Sequence, residues 1–309
     1  MNLPPPGICV DEACLGAWPL PMPPEEADKE ERGRVLIVGG SREMPGAVIL
    51  AATAALRAGA GKVAIATSSS AAPLVAMEIP ESRVIGLPET QTGGLAAEGV
   101  EEIADLARRA GAVLIGPGMV DETATAAFVE RLLPRLDNTP LLLDACAMGV
   151  VRQQDDLAFN TPVLMTPHAG EMAHLSGTAK AAVQEDPASA ARAAAERWKA
   201  VVAVKGADTY IADAEGGLWH HAGGNVGLAC SGSGDTLAGI IAGLVARGAP
   251  LTQACAWGVA LHARAGERLA ERKGPLGYLA REILDEIPLL MHSLAHQPGG
   301  GQPHYLGHW

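Results

Sequence analysis

The stretch GGNVGLACSGSGDTLAGIIAGLVARG, residues 223–248, places a run of glycines directly before one aspartate and an apolar segment. The apolar residues of that segment follow the i, i+3, i+4, i+7, i+8 spacing of a helix with one face on a core: Leu237, Ile240, Ile241, Leu244 and Val245. Gly248 then ends the pattern, as a glycine after a helix C-terminus commonly does. The stretch therefore predicts a glycine-rich loop that leads into the N-terminus of a buried-face helix.

A loop of this kind exposes unpaired backbone N–H groups beside the positive end of a helix dipole, which suits a bound anion. Asp235 lies at the same helix start, where the dipole favours its carboxylate although that carboxylate repels a phosphate. Both features fit together if Asp235 activates a hydroxyl group toward a phosphoryl group. The alternative is an ordinary helix start, with Ser233 as the N-cap and Asp235 favouring the dipole.

The composition is that of a globular chain and argues against two classes of partner. Of the 309 residues, 48% are hydrophobic and only 3% aromatic, so Ala, Val, Leu and Ile must form the core. The net charge of −12 argues against nucleic acid and anionic membranes as partners. No apolar run reaches the roughly 18 residues that span a bilayer, and five cysteines without metal-ligand spacing suit a reducing compartment. We therefore predict a cytoplasmic protein.

Short apolar strands alternate with helices from residue 34 to residue 295, which predicts one α/β domain with a central, mostly parallel sheet and helices on both faces. Strands are predicted at 34–40, 62–67, 83–87, 112–118, 140–145, 162–171 and 200–206, and a hairpin at 208–213 and 218–223. Helices are predicted at 45–61, near 95–110 and 121–136, from about 170, at about 187–199, and three times before the end. The Pro- and acid-rich residues 1–33 are expected to form an N-terminal extension, and residues 296–309 a mobile C-terminal tail.

Polar residues and glycines follow five of the predicted strands at the point where each strand ends. In an open α/β sheet, ligands collect outside the carboxyl ends of the strands. The five groups are Gly39–Gly40–Ser41, Gly116–Pro117–Gly118, Asp144, Thr166–Pro167–His168 and Lys205–Gly206. Their shared position is a more specific sign of a ligand site than any one of them alone.

Each of these strand ends also has a purely structural interpretation. The segment KGADT, residues 205–209, is either a strand-end turn or a loop that lays its backbone along a nucleotide. Asp144 either caps the next segment or faces a ligand, and His168 is either structural, exposed or in contact with substrate. The sequence contains no Walker pattern and no dinucleotide-binding fingerprint, so a phosphate site must use another arrangement.

Two further groups of residues are discounted as sites. His220 and His221 alternate across a predicted strand, so they cannot both face one metal ion. Cys230 lies beside the glycine loop, but no His or Asn motif supports a nucleophilic role, so packing is the better interpretation.

The stretch GGNVGLACSGSGDTLAG resembles the signature of the ribokinase-like NAD(P)H-hydrate dehydratases, close to N-x-G-L-A-T-G-G-[ST]-G-D-x-L-A-G. The segments GGSREMPGA, GPG, LLLDA, TPHAGEMAHL and VVAVKGADTYIAD match in the same order, so the resemblance covers residues from about 28 to 290. The G-[ST]-G-D element is shared by many ribokinase-like kinases, whereas its combination with T-P-H-x-G-E-M is far more specific. Cys230 stands where the family usually has Thr, and Ser231 where it usually has Gly.

The resemblance implies a role for each matching position. Asp235 is implied to be the catalytic base and to touch the hydrated nicotinamide, beside an anion hole formed by Gly232, Ser233 and Gly234. The implied nucleotide-binding residues are Lys205, Gly206, Ala207, Asp208, Thr209 and Gly234. The implied contacts with the hydrated dinucleotide are Ala47, Gly118, His168 and Asp235. Ser231 adds a β-carbon to a tight loop, where it is expected to affect the loop conformation.

The implied reaction is the ADP-dependent dehydration of hydrated NADH or NADPH, with Mg²⁺ as cofactor, ADP as co-substrate and metal ligands unassigned. AMP, phosphate and the reduced nucleotide are the implied products. A separate NAD(P)H-hydrate epimerase is expected as functional partner, because only about 33 residues precede the first predicted strand, and a homotetramer is expected by resemblance. The alternatives are a vitamin-precursor kinase of the same fold, acting on a hydroxymethylpyrimidine or hydroxyethylthiazole, and a non-catalytic nucleotide-binding sensor.

Overall fold

The computed structural model describes residues 7–24, 26–153 and 159–295. Over these residues the chain forms one ten-stranded sheet. Its strands are β1 (Ile8–Cys9), β2 (Arg34–Val38), β3 (Lys62–Ser68), β4 (Ser82–Leu87), β5 (Ala112–Ile115), β6 (Leu141–Leu143), β7 (Val163–Met165), β8 (Val201–Val204), β9 (Asp208–Ala212) and β10 (Leu218–Ala222).

Twelve α-helices accompany the sheet in the described part of the chain. They are α1 (Glu12–Ala17), α2 (Gly46–Arg57), α3 (Ala72–Glu78), α4 (Val100–Arg108), α5 (Glu122–Leu132), α6 (Val150–Gln153), α7 (Ala169–Ser176), α8 (Lys180–Glu185), α9 (Pro187–Trp198), α10 (Ser233–Ala246), α11 (Leu251–Lys273) and α12 (Ala280–Ala295). None of these helices is long and apolar enough to cross a membrane.

The strand order is β1-β10-β9-β8-β7-β6-β5-β2-β3-β4. Neighbouring strands run parallel except in the β8–β9 and β9–β10 pairs, which are antiparallel. The second of these pairs is the hairpin predicted from the sequence. The mostly parallel sheet confirms the predicted α/β fold, and its parallel strands direct the loops that follow β2, β5, β6, β7 and β8 to one edge.

The core lies in two layers, one on each face of the sheet. On one face, α2, α10, α11 and α12 cover the sheet with small and branched aliphatic side chains. On the other face, α4, α5, α7 and α9 form the second layer. Because helices cover both faces, the central strands read as continuous apolar runs such as Val35–Val38 and Val201–Val204 rather than as alternating patterns.

Helix α10 is buried almost all round, and not only on the stripe that the sequence pattern predicts. Twelve of its fourteen residues are buried, because the sheet, α2 and α11 enclose it. Glycine makes the approach of α2 possible. A Cβ atom built on Gly243 would lie 2.6 Å from the Ala55 carbonyl oxygen and 2.9 Å from the Ala58 Cβ.

The Gly243→Ala variant is therefore expected to lose about 1–3 kcal/mol of unfolding free energy, since backbone atoms must shift to admit the methyl group. Chemical denaturation measures the difference. Gly16→Ala is the matched control, because a Cβ at this exposed helical glycine meets no atom within 4 Å. Gly16→Ala should be neutral or slightly stabilising. Equal stability of the two variants would contradict the close packing of α10 on α2.

The N-terminal segment packs on the domain that is predicted to begin at residue 34. Strand β1 pairs in parallel with β10 at the edge of the sheet, and Leu15 of α1 is buried. The Trp18 carbonyl oxygen accepts hydrogen bonds from Gln253 Nε2 at 3.0 Å and Trp257 Nε1 at 2.8 Å. Proline and acid content indicated an extension, and its apolar residues Val10 and Leu15 are buried. The predicted tail, 296–309, lies outside the described residues.

Other differences from the predicted elements are local. The strand predicted at 162–171 ends at Met165, because Pro167 and the start of α7 follow immediately. Helices α3 and α8 were not predicted, since each has only six or seven residues and little apolar periodicity.

Candidate active site

The five polar strand ends predicted from the sequence meet the N-terminus of α10 at the carboxyl edge of the sheet. The Lys205 N–H donates to the Pro167 carbonyl oxygen at 2.8 Å, which joins the loops after β7 and β8. The Gly40 N–H donates to the Pro117 carbonyl oxygen at 2.6 Å, which joins the loops after β2 and β5. These two hydrogen bonds hold the loops together in pairs at this edge of the sheet.

Gly232 is the N-cap of α10 and adopts φ +86°, a left-handed conformation that suits glycine. Ser233 is the first helical residue, and its hydroxyl shares a 2.9 Å hydrogen bond with His262 Nε2 of α11 instead of capping the helix. The N-cap interpretation of Ser233 is therefore wrong. The Ser233 N–H donates to the Cys230 carbonyl oxygen at 3.2 Å, whereas the Gly234 N–H has no carbonyl partner within the helix and remains suited to an anion.

Three buried or half-buried charged side chains converge beside this helix start. Lys205 Nζ lies 3.5 Å from Asp144 Oδ1, and a Cβ atom built on Gly234 would lie 3.6 Å from the same Nζ. The Thr166 hydroxyl donates to Asp144 Oδ1 at 2.6 Å. Asp144 thus faces the site and makes no side-chain cap bond to the turn that it begins, which decides between its two sequence interpretations.

The pKa of Asp235 is raised from 3.8 to about 6. Burial of the carboxylate is the largest cause, the negative charge of Asp144 acts in the same direction, and the Lys205 ammonium opposes both. A carboxylate with a pKa near neutrality is a better proton acceptor than an ordinary surface aspartate, while it remains largely ionised at neutral pH. This geometry suits general base catalysis.

Ala47 and Gly118, predicted as contacts of one ligand, lie together where the loop after β5 meets the start of α2. Gly118 adopts φ +67°, and a Cβ atom built on it would lie 2.8 Å from the Ala47 Cβ and 2.5 Å from the Met44 carbonyl oxygen. A Cβ atom built on Gly232 would lie 2.5 Å from Leu50 Cδ1 of α2, which connects this corner with the start of α10. Only a residue without a side chain fits between these two loops.

His168 caps α7 with its side chain. Its Nδ1 accepts hydrogen bonds from the N–H groups of Gly170 at 3.0 Å and Glu171 at 3.1 Å. Glu171 Oε2 in turn accepts from the His168 N–H at 2.8 Å, which completes a capping box. The side chain is still 59% exposed, so the other ring edge is accessible. The structural interpretation therefore holds, and contact with substrate stays a prediction.

The predicted nucleotide loop divides into two parts. The Lys205 side chain points toward Asp144 and α10, whereas Gly206, Ala207 and Asp208 are exposed. Thr209 is buried at the start of β9. An exposed backbone beside one inward ammonium fits a nucleotide whose phosphates reach toward α10, although the roles of these residues stay predictions.

Sequence reasoning missed Thr166 and His262 as neighbours of the reacting groups. Burial lowers the pKa of His262 to about 4, so its ring is neutral when it meets Ser233. His262 lies in an alanine-rich helix without any motif, so no local signal pointed to it. Thr166 was noted only as part of a strand end, and its partner Asp144 belongs to a different strand.

The discounted residues have partners of several kinds, and His220 Nε2 lies 3.6 Å from Asp208 Oδ1 of the predicted nucleotide loop. His221 Nδ1 lies 2.7 Å from the Val10 carbonyl oxygen, while the His220 ring stacks on Tyr210 at 4.6 Å, so the two rings have different partners. Burial raises the pKa of the Cys230 thiol, which disfavours the nucleophilic thiolate. Ser231 does not adopt a positive φ, so its β-carbon causes no backbone strain there.

The site does not offer an all-protein metal cage. Among the described residues, no group of three or more His, Cys, Asp or Glu side chains is placed to hold a metal ion. Mg²⁺ is commonly held by substrate phosphates and water with few protein ligands.

Comparisons with known proteins point to one family. The sequence profile of NAD(P)H-hydrate dehydratases matches residues 35–289. An ADP-dependent (S)-NAD(P)H-hydrate dehydratase of Xanthomonas campestris pv. campestris is 49% identical over 285 residues, covering 92% of this chain and 96% of that protein. A bifunctional NAD(P)H-hydrate repair enzyme of Moorella thermoacetica is 38% identical over 280 residues. That match covers 90% of this chain and 53% of the relative, so the chain spans about half of the bifunctional protein.

Solved structures show the same similarity. The ADP/ATP-dependent NAD(P)H-hydrate dehydratase of Bacillus subtilis, co-crystallized with ATP and Mg²⁺, superposes with a TM-score of 0.81 at 30% identity. The match covers 95% of this chain and 99% of that chain. A hydroxyethylthiazole kinase of Pyrococcus horikoshii, with a TM-score of 0.55 at 18% identity, shares the fold alone.

Proposed function

The chain belongs to the NAD(P)H-hydrate dehydratase family, and from this premise we propose that it catalyses the ADP-dependent dehydration of hydrated NADH and NADPH. The observation that carries the proposal is the partly buried Asp235 carboxylate, with its raised pKa, at the N-terminus of α10 beside Lys205. A non-catalytic sensor would gain nothing from a carboxylate that opposes phosphate. A general base needs that placement.

In the proposed reaction, Asp235 takes the proton of the ring hydroxyl as that oxygen attacks the terminal phosphorus of ADP. The bond from this phosphorus to the bridging oxygen breaks, and AMP leaves with the electron pair. First-turn N–H groups of α10 and the Lys205 ammonium stabilise the charge on the transferred group. Mg²⁺ bound with the nucleotide would neutralise further phosphate charge.

Elimination then restores the reduced nicotinamide. The lone pair of the ring nitrogen expels phosphate as the carbon–oxygen bond breaks, and loss of a proton from the neighbouring ring carbon forms the ring double bond. The ring itself provides the driving force for this step. The protein contributes positioning and the preceding phosphoryl transfer.

Incubation of the protein with ADP, Mg²⁺ and hydrated NADH tests the proposal. We expect reduced-nicotinamide absorbance, AMP and phosphate to appear in equal amounts. Hydrated NADPH and ATP, substituted in separate reactions, define which dinucleotide and which donor the protein prefers. Consumption of nucleotide with a persistent phosphate ester and no recovered NADH would indicate a kinase instead.

Two finer parts of the proposal concern partners. The bifunctional description of the Moorella relative supports cooperation with an epimerase that interconverts hydrate forms. Adding such an enzyme to a mixture of hydrates should increase the fraction that the protein dehydrates. We expect a homotetramer, and sedimentation velocity measures the oligomeric state directly.

The nucleotide loop yields a prediction about ADP. Thr209→Ala and Asp208→Ala should raise the KM for ADP about 2- to 12-fold, the effect of one lost hydrogen bond, and leave the KM for the hydrate unchanged. Steady-state kinetics with each substrate varied in turn provides both constants. Thr178→Ala, an exposed threonine of another loop, is the control. Equal changes in both KM values would contradict the placement of the nucleotide.

His168 yields a prediction about the hydrate. His168→Asn keeps an oxygen that can cap α7 but removes the accessible ring edge, so stability should be retained while hydrate affinity falls about 2- to 12-fold. Calorimetry with hydrate alone avoids turnover. His168→Ala should lose both the affinity and about 0.5–2 kcal/mol of stability. Full hydrate affinity in His168→Asn would restrict His168 to its capping role.

A further inference from the structure

We propose that Asp144 is a positioning residue of the reaction: its carboxylate, oriented by Thr166, holds the Lys205 ammonium at the N-terminus of α10 and keeps it from pairing directly with Asp235. The inference deepens the proposed function and rests on it. Sequence and family resemblance assigned Asp144 no role in the reaction.

The Asp144 carboxylate is buried and has two polar partners. Asp144 is 3% exposed and Thr166 is 2% exposed, so neither side chain is solvated. The Thr166 hydroxyl and the Lys205 ammonium approach the same Oδ1 atom, at 2.6 and 3.5 Å. A buried carboxylate needs partners of this kind, and its orientation is therefore determined by them.

The backbone around Asp144 is held in an unusual conformation. Ala145 adopts φ +46°, which residues with a β-carbon rarely adopt. Gly116 adopts φ +129°, and a Cβ atom there would overlap the Asp144 carbonyl oxygen. The Asp144 N–H donates to the Ile115 carbonyl oxygen at 3.0 Å. Strain of this kind persists where the surroundings over-determine it, and it commonly accompanies functional positions.

The charge arrangement explains what the positioning achieves. Lys205 Nζ lies between Asp144 and the first turn of α10. In that turn it is close to Gly234, the residue before Asp235. Without Asp144, the ammonium would be free to pair with Asp235 and would weaken it as a base. With Asp144 in place, Lys205 is directed to the position of the nucleotide phosphates, and a second negative charge favours the protonated form of Asp235.

The other titratable groups that face Lys205 are uncharged near neutral pH. Burial lowers the pKa of His262 on α11 to about 4, and raises the pKa of the Cys255 thiol on the same helix to about 12. The balance of charge at Asp235 is therefore set by Asp144 and Lys205, which are the two charges that act on it.

The test is the pH dependence of kcat/KM, followed through AMP formation. Asp144→Asn should move the acid-side pKa of the profile down by about one unit, and Lys205→Met should move it up, because they remove opposite charges. Opposite directions distinguish positioning of charge from a general loss of packing. Asp105→Asn, at an exposed helical aspartate, is the control and should leave the profile unchanged. An unshifted profile in a folded, active Asp144→Asn variant would overturn the inference.

Thr166 provides a second test that keeps the charge of Asp144. Thr166→Val removes only the orienting hydroxyl and should lower kcat at least about tenfold, while Thr166→Ser should restore it. If Asp144→Asn fails to fold, the two Thr166 variants still test the role of Asp144. Full kcat in Thr166→Val would overturn the inference. Absence of AMP formation by the wild type with hydrated NADH would instead overturn the proposed function.

Discussion

Asp235→Asn is expected to restore NADH at least about 10²-fold more slowly than the wild type. The change keeps the size of the side chain and removes the proton acceptor, and a general base contributes about 10²- to 10⁴-fold in rate. Phosphate release should fall by the same factor, because the phosphorylated intermediate no longer forms. A paired assay of phosphate and reduced-nicotinamide absorbance measures both products on the same samples.

Binding and stability provide the controls for this variant. ADP affinity by calorimetry should be normal or slightly higher, since a charge that repels phosphate is gone. Asp105→Asn makes the same chemical change on an exposed helix and should leave turnover unchanged. Near-normal turnover in a folded Asp235→Asn variant would remove Asp235 from catalysis.

The same variant is expected to be more stable than the wild type at neutral pH. The pKa of Asp235 is raised from 3.8 to about 6 in the folded protein, so the ionised form destabilises the fold. This penalty is fully present above about pH 6 and is lost as the pH falls below about 3.8, where both states bind the proton. Denaturation should therefore show a gain of about 1–3 kcal/mol at pH 7.5 that is small at pH 4 and vanishes below it.

The second large effect is the pH dependence of wild-type activity. Only the ionised Asp235 can accept a proton, so kcat/KM should fall about tenfold for each unit below pH 6. An aspartate with an ordinary pKa would stay active to about pH 4, so the two cases differ by about 100-fold at pH 4. AMP formation over short times is the suitable measurement, because reduced nicotinamide decomposes in acid.

Titration of the nucleotide itself must be separated from that of the enzyme. The phosphates of ADP bind protons in the same range, but they do so equally with every variant. The difference between the wild-type profile and that of Asp235→Asn therefore belongs to the protein. An acid-side pKa near 4 in the wild type would contradict the buried environment of Asp235.

The sequence by itself determined the features that depend on local physics. Glycine spacing and helical periodicity between Gly223 and Gly248 predicted the loop, the start of α10 and the position of Asp235. Apolar runs that end in glycine or polar residues predicted a mostly parallel sheet, which the strand order confirms. These patterns can be recognised in the sequence because backbone conformation and repeat period are set by neighbouring residues.

Only the tertiary structure decided how distant residues share one environment. Asp144 and Lys205 follow different strands, and their meeting beside Gly234 depends on the order of strands in the sheet. Burial and those two charges together set the pKa of Asp235, which no local pattern encodes. His262 reached Ser233 through helix packing in the same way.

The edges of the fold show the same division. Pro- and acid-rich composition predicted that residues 1–33 lie outside the domain, yet β1 completes the sheet beside β10 and Leu15 is buried. Helix α10 is buried almost all round and not on one stripe, because α2 approaches Gly243 closely. Pairing and burial depend on which surfaces meet in three dimensions, and a sequence pattern records only the local preference of each segment.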